Sequence, residues 1–275
     1  MALYPTSETD RRIPHDLLIR DVAGVFRACG MNEADARLLA WSLVRADLRG
    51  IHSHGVLRVP DYVAKLRHQG VDPRGRPSVA VDSGIALVID CGNAMGQIGM
   101  AFAMSRAIER AVETHMAIAA VRGSNHCGAM DFFAMMALER DMIGLCATNA
   151  LPTMAPWGGR EKIVGINPLG IAIPGGEEGP FVLDIAFGQT AHGKIRVYAQ
   201  KGAPIPEGWA FDAQGQPTTD AQAALDGLIQ PIGGHKGVGL GMAFGMLSSL
   251  LSGGAYGTEL GNMVDGPRAG CDAHL

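Results

Sequence analysis

The sequence predicts an α/β fold of the mixed α+β kind, in one large domain or two smaller ones, with at least one antiparallel strand pair. Three observations carry this reading. Helical and strand-like segments are interspersed along the chain without strict β-α-β alternation. The apolar runs 169–174 and 181–185 flank the polar turn Gly175-Gly-Glu-Glu-Gly179, which reads as a hairpin. No Gly-x-Gly-x-x-Gly follows a strand: Gly237, Gly239 and Gly241 are spaced by two, but no glycine comes at the required position.

The elements follow in order. Leu17, Leu18, Val22, Val25 and Phe26 keep one helical face apolar until Gly30 stops the helix. Asn32, with Asp35 three residues on, caps a second helix to about Leu48. Residues 60–69 read as a short helix with proline at its start and Gly70 as its stop. A strand over 85–90 precedes a helix over about 95–115, with Ile98, Phe102, Ile108 and Val112 near one face. Residues 117–121 form a strand, 131–140 a helix, 142–148 a strand, and about 189–200 a helix. The Pro-, Gly- and Asp-rich stretch 201–220 reads as a long surface loop. Residues 237–254 are apolar enough to imitate a membrane span, but their glycines and serines favour a buried helix.

Composition narrows the function. Hydrophobic residues make up 47% and charged residues 18%, which excludes a disordered or fibrous chain. A net charge of −4 without like-charge blocks favours neither nucleic acid nor an anionic membrane. Five scattered cysteines, Cys29, Cys91, Cys127, Cys146 and Cys271, include no C-x-x-C and read as reduced thiols of a cytoplasmic protein. The first sixteen residues lack the apolar core of a secretory signal.

Two histidines mark the chemistry: His54 in Arg49-Gly-Ile-His-Ser-His-Gly-Val-Leu-Arg58, and His126 in Gly123-Ser-Asn-His-Cys-Gly-Ala129. Imidazole titrates near neutral pH, and flanking glycines let a ligand approach closely. Arg58 suits a carboxylate clamp, with Tyr62 one helical turn further on the same face. Asn167 in Gly165-Ile-Asn-Pro168 can orient a carbonyl or simply close a turn. Lys236 in Gly233-Gly-His-Lys-Gly237, at a helix start, can hold phosphate oxygens. Asp184 can accept from a ribose hydroxyl or serve as a cap. Two alternatives stay open: a metal site from His52, His54 and His126, and a hydrolase using Ser53 or Cys127 with a histidine and Asp184. The first has no adjacent carboxylate, and the second has no G-x-S-x-G elbow.

The order RGIHSHGVLR, GSNHCGA, APWGG, GINPLG, DIAFGQTAHGKI, PIPEGWAFDAQGQPTTD and GGHKGVGLG resembles the malate/L-lactate dehydrogenase-type NAD(P)-dependent oxidoreductases over nearly the whole chain. Malate, ureidoglycolate and sulfolactate dehydrogenases and diketogulonate reductase belong to that family. The resemblance implies a non-Rossmann fold: a largely antiparallel sheet flanked by helices, with a helical substrate-side region. It implies NAD or NADP as cofactor, a small 2-hydroxy or 2-oxo acid as substrate, no metal, and a homodimer or larger homo-oligomer. By motif, His126 corresponds to an acid/base histidine and His54 with Ser53 to a proton-relay pair. Arg58 corresponds to the substrate arginine. Asp184, Ile185, Ala186 and Lys236 fall on cofactor-contacting positions, and Ala150 lies where some members place a cofactor-contacting serine. Three regions follow: 1–75 on the substrate side, 76–235 as the cofactor-binding sheet, and 236–275 as a C-terminal helix region. Family members run several dozen residues further and include another core strand there, so an inactive member that only binds cofactor or a partner is the third alternative.

Overall fold

A computed structural model describes residues 11–261 and 272–275. The first ten residues, read above for a signal, and Cys271 lie outside the described residues. In chain order the elements are α1 (His15–Ala28), α2 (Glu33–Leu48), α3 (Val59–Arg67), β1 (Ser78–Asp82), β2 (Ala86–Asp90), α4 (Gly96–Thr114) and β3 (Ile118–Ser124). They continue with α5 (Asp131–Ala134), β4 (Gly144–Ala147), β5 (Pro152–Met154), β6 (Val164–Gly165), β7 (Leu169–Ile173), β8 (Phe181–Ile185) and α6 (His192–Gln200). The last are β9 (Ala210–Phe211), β10 (Pro217–Thr218), α7 (Ala221–Asp226), β11 (Leu228–Ile229), α8 (His235–Ser252) and β12 (Asp272–His274).

The strands run in the order β1-β2-β3-β12 in one sheet and β4-β7-β8 in another. Among the described residues β2 and β3 are the parallel pair, which requires a crossover, and α4 supplies it. The other strand pairs are antiparallel, including the anticipated β7–β8 hairpin, in which Gly170 faces Asp184. Ala147 and Leu275 exchange two backbone hydrogen bonds of 2.8 Å, so β12 knits the two sheets together.

Among the described residues the apolar patterning closes several core clusters, two of which meet along α4. Val22 and Phe26 of α1, Leu39 and Leu43 of α2, and Tyr62 and Leu66 of α3 share one cluster with Met95 and Ile98. Asn32 caps α2 by accepting from the Asp35 amide at 3.0 Å, as its spacing indicates. Leu17 and Val25, expected on the apolar face of α1, stay exposed, because only the Val22–Phe26 stripe meets α2. Ile89, Val121, Met130, Phe133 and Cys146 centre the second cluster, between the sheet and the chain's middle helices.

Three expectations need correction. The stretch 201–220 is not all loop, since β9 and β10 pair with β11 in a small sheet. The 131–140 helix is a single α turn followed by a 3-10 segment, Met135–Arg140. The helix over 237–254 forms, as α8, but it is not buried throughout. Its buried side carries Val238 and the small residues Gly237, Gly241, Gly245, Ser248, Ser249 and Ser252, while Leu240, Leu247, Leu250 and Leu251 face outward. Small residues on one stripe allow close backbone approach, so the bulky residues fall on the opposite face. No helix among the described residues is long and apolar enough to cross a membrane.

Candidate active site

The turn after α2 folds into two short 3-10 segments, His52–His54 and Val56–Arg58, and the second runs directly into α3. Asp47, in the last turn of α2, anchors this turn by accepting from the Val56 amide at 2.9 Å. Beyond β3 the chain enters the His126 turn. A third contribution comes from the start of α6 and a fourth from the segment around Ala150. Together they enclose a cavity of about 180 Å3 lined by His54, Arg58, Tyr62, His126 and Ala150 among others.

Within it the His54 and His126 rings stack, with centroids 5.6 Å apart and planes within 15°. The Ser53 hydroxyl meets His54 Nδ1 at 2.9 Å, and the Tyr62 hydroxyl meets His126 Nδ1 at 2.7 Å. Arg58 is buried: its Nε donates to the Ser53 carbonyl at 2.7 Å and its Nη1 to Asp61 at 3.1 Å. That pinning leaves Nη2 without a hydrogen bond among the described residues. Gly193 makes room for it, since a β-carbon there would collide with Nη2. Lys65, His192 and Arg196 also line the cavity, and among the described residues no Asp or Glu does. The site is therefore built for an anion.

Gly193→Ala is expected to raise KM for an acid substrate about tenfold with kcat nearly unchanged, because the guanidinium must shift. Steady-state kinetics with a matched melting curve checks this. An unchanged KM would mean that Arg58 does not meet the substrate through that edge.

Burial holds His54 down at about 3, with the Arg58 charge adding to it. Burial, followed by Arg58, holds His126 well below the usual imidazole range. Tyr62 is raised by burial. Both imidazoles are therefore neutral at physiological pH, with one nitrogen of each engaged by a hydroxyl. His274 is a third buried histidine, bridging Thr148 at 2.6 Å and Ser124 at 2.8 Å, and burial holds it down at about 3.

These shifts make stability pH-dependent. A depressed folded-state pKa contributes stability that is present above the unfolded value near 6.5 and is lost as pH falls. His54 and His274 each approach about 1.4 kcal/mol per pH unit below that point. Asp184 has the opposite sign: burial raises it to about 6, so its contribution is present below about 4 and lost as pH rises through 6. The net expectation is a loss on the order of 2 kcal/mol between pH 6 and 5. Urea unfolding across that range measures it, and His54→Asn should flatten the slope. A level profile would show that the histidines are not buried in neutral form.

The structure does not bring every anticipated residue to this cavity. Asn167 is buried with both ends of its amide committed to backbone: Oδ1 accepts from the Ala150 amide at 2.8 Å and Nδ2 donates to the Gly241 carbonyl at 2.7 Å. It closes the turn and does not orient a carbonyl in the cavity. The Asp184 carboxylate accepts from the Asp131 amide at 3.0 Å, capping α5, so its cap reading holds and it is spent away from the cavity. Ile185 packs near Phe187 and Phe244, Ala186 does not line the cavity, and Lys236 sits exposed in the first turn of α8.

His52 turns to Asp47 at 2.7 Å, and no group of three or more His, Cys, Asp or Glu among the described residues could hold a metal ion. The Nδ1 partners of His54 and His126 are hydroxyls and not carboxylates, so the hydrolase triad does not assemble.

Sequence reasoning missed Lys65, Gln97, Asn125, Thr153, Arg196 and His274. It also passed over His192, although its glycine neighbour is the same signal that singled out His54 and His126.

The malate/L-lactate dehydrogenase family profile matches residues 13–275. The chain is 39% identical to the malate dehydrogenase of Pyrococcus abyssi over 91% of its own length and 71% of that protein. It is 40% identical to the L-sulfolactate dehydrogenase of Methanocaldococcus jannaschii over 89% of its length and 70% of that protein. Its fold superposes on the solved malate dehydrogenase of Pyrococcus horikoshii with a TM-score of 0.88 at 33% identity, covering 98% of this chain and 76% of that one.

Proposed function

The chain belongs to the malate/L-lactate dehydrogenase family, and from that premise we propose that it is a nicotinamide-dependent oxidoreductase interconverting a small 2-hydroxy acid and its 2-oxo acid. One observation carries the reading: a single cavity holds a guanidinium and two uncharged imidazoles, with no carboxylate lining it among the described residues.

The residues present fit the reactive end of such a cofactor. A carboxamide needs both an acceptor and a donor. Asn125 and Thr153 line the cavity, and their side-chain oxygens Oδ1 and Oγ1 are buried without partners among the described residues. Asn125 and Thr153, beside Ala150, would hold the nicotinamide ring there. Ile185, Ala186 and Lys236 do not line this cavity, so they lie outside the part that takes the reactive end. We therefore assign them to the remainder of the cofactor, with Asp184 acting only as a support. Bound NAD or NADP supplies hydride chemistry at the substrate's second carbon.

The chain's own residues do the rest. Arg58 grips the carboxylate through Nη2 and fixes the reacting carbon, a positioning effect that is worth several kcal/mol in such reactions. His126 exchanges the substrate oxygen's proton, and its neutral state lets it give or take one. His54, held by Ser53, stacks against His126 and keeps water from that face. In this reading residues 1–75 supply the acid-binding side, 76–235 the mostly antiparallel, non-Rossmann cofactor sheet, and 236–275 a C-terminal support. The protein works in the reducing cytoplasm as a homodimer or larger homo-oligomer, where its four described thiols stay free.

The test is formation of NADH or NADPH with malate, lactate and ureidoglycolate, and its consumption with the matching 2-oxo acids. A folded chain that turns over none of them would overturn the proposal.

A further inference from the structure

Behind His126 stands a second layer that the mechanism above does not use. Gln97 lies in the first turn of α4 and is completely buried. Gly96 brings it there, since a β-carbon at Gly96 would run into the Asn125 and His126 carbonyls. Gln97 Nε2 donates to the Tyr62 hydroxyl oxygen at 3.0 Å, and that hydroxyl meets His126 Nδ1 at 2.7 Å. Gln97 Oε1 is buried without a partner among the described residues.

An unpaired amide oxygen is a liability in a core, so stability does not explain this side chain. Its connected end does. A phenol has one proton to donate. With its oxygen accepting from Gln97, the Tyr62 proton is directed at His126 Nδ1, and the His126 proton must then sit on Nε2.

We propose that Gln97 is a positioning residue that acts through Tyr62 to hold His126 in the Nε2–H tautomer, leaving that nitrogen as the group that passes a proton to the substrate oxygen. The inference rests on the reading of His126 as the proton-exchanging residue. In the reducing direction, with a bound nicotinamide cofactor to supply hydride to the carbonyl carbon, His126 would pass its Nε2 proton to the carbonyl oxygen. As that proton leaves, the Tyr62 proton passes to Nδ1 and the negative charge rests on the Tyr62 oxygen; once product leaves, solvent protonates Nε2 and the Nδ1 proton returns to Tyr62. Oxidation retraces these steps with the proton returning to Nε2. Burial keeps His126 neutral at pH 7, so a single tautomer can be observed.

The experiment is long-range 1H–15N NMR of the histidine rings in the full chain, with His126 assigned by comparison with His126→Asn. The wild-type protein is expected to show Nε2–H at His126. Gln97→Glu presents only acceptors to Tyr62, so the phenol proton turns to the carboxylate and His126 should switch to Nδ1–H. Gln97→Met removes the constraint without leaving an orphan oxygen. It should show both tautomers, keep a melting temperature no lower than wild type, and lose about tenfold in kcat with KM unchanged.

Nδ1–H in the wild type, or the same single tautomer in wild type and Gln97→Met, would overturn the proposal, even if Gln97→Glu failed to fold. A large fall in melting temperature for Gln97→Met with kcat preserved would also overturn it, by making Gln97 a core residue only. Wild-type Nε2–H with no turnover of any 2-hydroxy acid would remove the proposed function and leave the tautomer assignment standing. Turnover with Nδ1–H would do the reverse.

Discussion

Replacing Arg58 with methionine is expected to lower kcat/KM for 2-oxo acids by roughly 10²–10⁴-fold, equivalent to about 3–5.5 kcal/mol. Methionine keeps most of the buried length but removes the charge and the paired donors that meet a carboxylate. Most of the loss should appear in KM, because the interaction is made to the bound acid as well as in the transition state. Arg58→Lys should recover only part of it, since an ammonium carries charge without the planar fork and cannot hold the Ser53 carbonyl and a substrate together. Loss of the guanidinium also leaves Asp61 without its 3.1 Å partner, so unfolding curves must accompany the kinetics. A folded Arg58→Met protein that stays within threefold of wild type would place the carboxylate elsewhere, with Arg196 the next residue to replace.

His126→Asn is expected to reduce kcat by about 10²–10⁴-fold with little change in KM, the usual range for removing a positioned acid or base. His54→Asn should cost less, because His54 serves by stacking and by holding the Ser53 hydroxyl. The comparison decides between two imidazoles that the chain presents in similar Gly-flanked turns. If His54→Asn proves the more damaging for kcat, their roles are exchanged. In either variant a buried group is swapped for a smaller polar one, so activity should be referred to the folded fraction.

Much of this site was legible in residues that are neighbours along the chain. Ser53, His54, Arg58 and Tyr62 fall within ten positions, so one turn running into one helix must bring them together, and Gly-flanked His126 announces itself by composition. The residues that escaped detection have no such local mark. Gln97 reads as an ordinary first-turn residue of α4, and its meaning comes from Tyr62, 35 positions earlier. His274 meets Thr148 and Ser124 only because β12 enters between β3 and β4. Asn167 and Asp184 erred in the other direction: their types suit ligand contacts, but backbone amides reached them first.

Periodicity, caps and turn residues act over a few positions, so they were sufficient for the helices, the β7–β8 hairpin and the two histidine turns, and motif order was sufficient for the family. Which polar atoms stay free is different, because it depends on every group that packs nearby, whatever its distance along the chain. The free edge of Arg58, the neutral state of both imidazoles and the outward leucines of α8 all arise from that competition for space and hydrogen bonds. They exist only once the cores have closed and water has been driven out.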